Sequence, residues 1–126
     1  MGMLYTYIKD TETKIEKEYE SLDNEFKKFR MKIIDDSAYS EESDKYIKSK
    51  MKSMFKKLDI INKLLQEAHV IFTFESSISA EKDYELAYAE YFIVHAMCKF
   101  SMYFELYQSY LPYLDEALFH LNNNNN

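Results

Sequence analysis

Gly2 and Pro112 are the only glycine and the only proline in the chain, and that scarcity limits the fold more than any other feature. Hairpins and tight turns depend on residues that relax or pre-set the backbone dihedrals. This argues against a sheet with many short connections and in favour of a few long helices. At 126 residues the chain has room for one domain with a real hydrophobic core. That domain is expected to span residues 1–121, followed by a low-complexity tail from Asn122 to Asn126 that has no apolar anchor and should be disordered.

Apolar periodicity divides the domain into three segments. From Leu4 to Ile34 the residues Leu4, Ile8, Ile15, Tyr19, Leu22, Phe26, Phe29 and Ile33 keep helical spacing, with Thr11 filling the missing step and charges between them. This is an amphipathic helix with one face for a core and one for water. Asp35, Asp36 and Ser37 break the pattern. Ser40 followed by Glu41 and Glu42 then reads as an N-cap with acids in the first turn, where they favour the positive end of the helix dipole. The second helix is expected from about Glu41 to Phe74 on the seam Ile47, Met51, Met54, Leu58, Ile61, Leu65, Ala68 and Phe72. Its β-branched and aromatic run from Val70 to Phe74 is read as helix because it continues that spacing. Ser76, Ser77 and Ser79 form the next break, with Ser79 as cap for the third helix.

The third segment, centred on Tyr84 to Tyr110, differs from the other two. Leu86, Ala89, Ile93, Ala96, Phe100, Tyr103, Tyr107, Tyr110 and Leu114 lie in one three-four seam, yet Tyr84, Tyr88, Tyr91, His95, Cys98 and Met102 occupy the opposite face. A helix apolar on opposing faces needs cover on both, from its own chain or from a partner. A flank left open to water would leave a binding reading without foundation. Crossing a membrane is the third option, since Leu86 to Phe104 is long enough. Glu90, His95 and Lys99 interrupt it, however, at a cost of about 2.5–3.5 kcal/mol for each charge near the middle of a spanning helix. Pro112 removes a backbone donor, so the helix should kink or restart near Leu111, with Leu114, Leu118 and Leu121 continuing the stripe.

Three helices of matched length with short polar breaks pack most economically as an antiparallel up-down-up bundle. The expected fold is thus all-α, a three-helix bundle with a short helical segment after Pro112. A long coiled coil made by two chains is the rival, because three-four spacing over four heptads fits it too. Lone Cys98 has no partner for an internal disulfide, and no apolar run follows a basic segment at the N-terminus, so the expected location is cytoplasmic. Gly2 with Thr6 matches the N-myristoylation pattern. The match is short, and a Met-Gly remnant ahead of a native start at Met3 accounts for it as well.

Candidate chemistry is thin. His95 and Cys98 share a face, but structural zinc takes four ligands and no second pair has ligand spacing. The Glu-x-x-His pairs of di-iron bundles are absent, as is any glycine-rich phosphate loop. Arg30 has no histidine four to six residues downstream, as a helical nuclease of the Arg-His kind requires. With the second turn centred near Ser77, Glu90 is expected to pair with Lys63. The chain is therefore read as non-enzymatic, with no cofactor and no metal.

Charge is more informative. Residues 27–57 hold ten of the sixteen cations against five acids, leaving that segment at plus five and the remainder at minus eleven within a total of minus six. A hairpin of the first two helices gathers Lys27, Lys28, Arg30, Lys45, Lys48, Lys52 and Lys56 towards one tip, a site for an anionic membrane surface or nucleic acid. The leading expectation remains a protein-binding module, a scaffold subunit, adaptor or inhibitor. Its partner is another protein or a second copy, and its contact face is Tyr84, Tyr88, Tyr91, His95, Cys98 and Met102.

Overall fold

The three periodic segments form three helices, the third of them bent into two pieces. The computed structural model describes residues 3–35, 40–78 and 83–124. In order these are α1 (Met3–Asp35), α2 (Glu41–Ile78), α3 (Asp83–Ser109) and α4 (Leu111–Asn124). Gly2, the Asp36 and Ser37 break, and the cap expected at Ser79 lie outside the described residues.

Side-chain contacts fix the directions. Tyr7 on α1 donates to Glu67 Oε1 on α2 at 3.1 Å, and further along Ser53 on α2 donates to Glu25 Oε1 at 2.8 Å, so α1 and α2 run antiparallel. Tyr88, Tyr19 and Tyr103 link α1 to α3 in matching order. Tyr88 donates to Glu12 Oε2 at 2.7 Å, Tyr19 to the Ala96 carbonyl at 2.8 Å and Tyr103 to Asp23 Oδ1 at 3.2 Å, so α1 and α3 run parallel. This is the up-down-up bundle that the periodicity predicts.

The core is made where the seams meet. Leu4, Ile8, Ile15, Leu22, Phe26 and Phe29 of α1 are fully buried against Met51, Met54, Leu58, Ile61, Leu65 and Ala68 of α2. Each large apolar side chain buried in this way contributes about 1.5–3 kcal/mol. The α1–α3 side is an aromatic ladder: Tyr103 stacks on Tyr19 at 5.4 Å and on Phe26 at 5.9 Å, while Tyr110 meets Phe29 at 5.0 Å. Tyrosine suits that position because its ring fills the core while its hydroxyl reaches the acids and carbonyls at the rim.

Helix ends follow from local hydrogen bonds. Ser40 caps α2 as expected, accepting from the Ser43 amide at 3.0 Å through Oγ. The expected end at Phe74 is too early, since α2 runs to Ile78. Ser76 and Ser77 do not break it because their hydroxyls donate back to the Thr73 and Phe74 carbonyls, at 3.0 and 2.7 Å. Pro112 sits in the first turn of α4, where its missing donor has no helical partner to lose. The Leu114 amide still reaches the Tyr110 carbonyl across the bend at 3.4 Å, and α4 leans on α2. It continues through Asn124, so the first three asparagines extend the helix instead of forming the disordered tail expected from their composition.

The predicted Glu90–Lys63 pair is not formed. The ring of Phe55 lies 5.9 Å from that of Tyr107, which sets a later register between α2 and α3 than a turn centred on Ser77. Lys63 pairs with Asp59 on its own helix at 2.9 Å, and Glu90 is exposed on the outer side of α3.

Candidate interaction face of the third helix

One flank of α3 meets the core through Ala89, Phe92, Ile93, Ala96 and Tyr107, all buried. On the opposite flank Tyr84, Tyr91, Val94 and Met102 are 61, 69, 55 and 71% exposed. Exposed Ala87, His95, Cys98 and Ser101 lie between them. The other helices of the chain therefore do not cover this flank and it is open to water, so the shielding on which the binding reading depends is not met within this chain, and any cover has to come from a second chain. An apolar strip of this length on one helix is the kind of surface that marks an interaction site.

The flank is shaped. Ala87, Glu90, Tyr91, Val94, His95 and Cys98 line a shallow depression of about 470 Å³. The Tyr91 ring stacks on His95 at 5.8 Å and 19°, so two rigid rings stand at its edge. Neither His95 nor Cys98 is packed away; both are exposed on this flank.

Tyr88 is the exception among the six predicted residues. It turns towards α1, where its ring lies 5.4 Å from that of Tyr5, with Lys9 Nζ 4.8 Å above it. Burial pushes its hydroxyl above the ordinary tyrosine value; Lys9 opposes that shift and Glu12 reinforces it. Further along α1, Tyr19 is pushed up far more, by burial and then by Tyr103. Lys99 covers the Tyr19 ring at 4.7 Å and closes one side of a 250 Å³ groove between α1 and α3.

The basic residues spread over two helices. Lys45, Lys48, Lys52 and Lys56 line one exposed side of α2, where the first three border a groove of about 460 Å³ whose apolar wall is Leu118 and Leu121 of α4. Lys45 is paired with Glu41 at 3.2 Å. On α1, Lys27 is paired with Asp23 at 3.0 Å, and Lys28 and Arg30 are exposed. Among the described residues no group of three His, Cys, Asp or Glu side chains is placed to hold a metal, and no helix is long and apolar enough to cross a membrane.

Three residues of the open flank escape a search for tyrosines: Ala87, Val94 and Ser101. The signal for them is in the sequence, because Tyr84, Ala87, Tyr91, Val94, Cys98 and Ser101 alternate in steps of three and four. No protein family, curated protein or solved structure matches the chain.

Proposed function

We propose that the protein is a non-enzymatic interaction module, a scaffold subunit, adaptor or inhibitor, that binds another protein chain through the outer flank of α3. The observation that carries this reading is the row of Tyr84, Tyr91, Val94 and Met102, each more than half exposed on the side of the helix away from the core. Tyrosine and methionine are the residue types that interface cores favour, and stiff aromatic side chains lose little entropy when they are covered. Exposure of this flank to bulk water throughout the protein's working life would remove the basis of the reading. Sedimentation of the full chain, alone and with extract of its native source, is the test. A clean monomer that captures nothing would overturn it.

A second reading rests on Lys48 and Lys52 beside the apolar wall of Leu118 and Leu121. Cations next to half-buried aliphatic groups suit an anionic membrane surface or nucleic acid. Changing Lys48, Lys52 and Lys56 to Glu should abolish retention by liposomes containing phosphatidylserine or by an oligonucleotide. Unchanged retention by both would remove this alternative.

A further inference from the structure

We infer that the chain covering the outer flank of α3 is a second copy of the same protein, packed antiparallel along α3. The inference rests on the interaction reading above and names its partner.

The spacing supplies the first argument. Tyr84, Ala87, Tyr91, Val94, Cys98 and Ser101 step by three and four without a break, the repeat of two helices packed knobs-into-holes. The seam that faces the protein's own core has the same alternation, so α3 carries two seams on opposite sides. One is filled by α1 and α2, and the other is open.

Volume chooses the direction. With a two-fold axis passing between Phe92 and Ile93, an antiparallel partner sets Tyr84 over Ser101, Ala87 over Cys98 and Tyr91 over Val94. Each layer then puts a larger group on a smaller or similar one, as close packing requires. A parallel pair would set tyrosine on tyrosine and alanine on alanine, and would bring Glu105 against Glu105 at the next seam position.

Charge and area agree. Every copy is at minus six, so two copies meet at least cost where acids are fewest, and from Tyr84 to Met102 this flank has only Glu90 at its edge. Four large side chains exposed by more than half offer on the order of 500 Å² per copy, and the smaller groups around them bring it close to the ~800 Å² per partner of a standard interface.

The full chain tests this without a ligand. Equilibrium sedimentation should give a dimer, and Tyr91→Glu, at an exposed position, should raise its Kd at least about thirtyfold while leaving far-UV circular dichroism unchanged. Ala87→Cys should form a covalent dimer through Cys98 of the second copy under a mild oxidant. The unmodified chain should not, because its two Cys98 residues would lie about 16 Å apart along the helices, too far to bridge. A monomer at all accessible concentrations, a dimer indifferent to Tyr91→Glu, or a Cys98–Cys98 link in the unmodified chain would each overturn the inference. A monomer whose α3 flank is protected from hydrogen exchange by a different, identified protein removes the second copy but keeps the interaction reading. A monomer whose flank nothing in its native source protects removes both.

Discussion

Along α1 the residues between the seam positions are mostly Lys, Glu, Asp and Thr; along α3 more than half of them are aromatic, aliphatic, Met or Cys. The two helices keep the same three-four spacing towards the core, run parallel and are joined by three tyrosine hydroxyls. They differ only in their backs. The back of α1 is finished with charge, including exposed intrahelical pairs such as Lys14 with Asp10 at 3.3 Å, each worth about 0.3–0.5 kcal/mol. The back of α3 has no such finish. A seam specifies a bundle, whereas the back of a helix decides whether the bundle is complete in water.

If that division holds, the largest effects belong to the seam. Phe26 is fully buried and touches both Tyr103 and Tyr110, so Phe26→Ala should remove about 3–5 kcal/mol of unfolding free energy, read by urea denaturation. A loss below ~1 kcal/mol would mean that the aromatic ladder is not the closed core described.

A smaller effect tests the join between α1 and α3. Burial holds the hydroxyls of Tyr7, Tyr19, Tyr88, Tyr103, Tyr107 and Tyr110 above the ordinary tyrosine value of 10.0. A raised folded pKa means that the fold prefers the neutral ring. That stability is present in full below pH 10, where both states are neutral, and is lost as pH rises through the folded values. The urea midpoint should therefore fall above pH 10. Tyr19→Phe should cost about 0.5–1.5 kcal/mol at neutral pH, for the bond to the Ala96 carbonyl, and make the alkaline fall shallower. An alkaline profile unchanged by the substitution would detach Tyr19 from it.

The seams were legible because period alone places them: every seam residue named for α1 and α2 is buried or partly buried. What period does not contain is the angle at which neighbouring helices arrive. Tyr88 lies between the core and the outer flank on the helical wheel, and it is the approach of Lys9 and Glu12 on α1 that draws it inward. The Glu90–Lys63 pair failed for a related reason, since the register of α2 against α3 depends on turn geometry that spacing does not encode. Ser76 and Ser77 read as a break, yet their hydroxyls can satisfy carbonyls within the helix they were expected to end. The apolar excess of α3 was legible, but its exposure was not, because exposure depends on how far α1 and α2 reach round the helix.

The smallest effect on the isolated fold belongs to the back of α3, and it sharpens the comparison most. Val94 is 55% exposed and makes no part of the buried core. Val94→Lys should therefore change the unfolding free energy of dilute chain by no more than about 0.5 kcal/mol in either direction. A completed back, such as that of α1, would give the same answer at every concentration. For α3 the answer should depend on concentration, because association that favours the folded chain raises its stability by mass action. The unmodified protein should gain stability as it is concentrated, whereas Val94→Lys should show a flat line. Two flat lines would make the outer flank of α3 equivalent to that of α1, and its apolar side chains would then have no role in self-association.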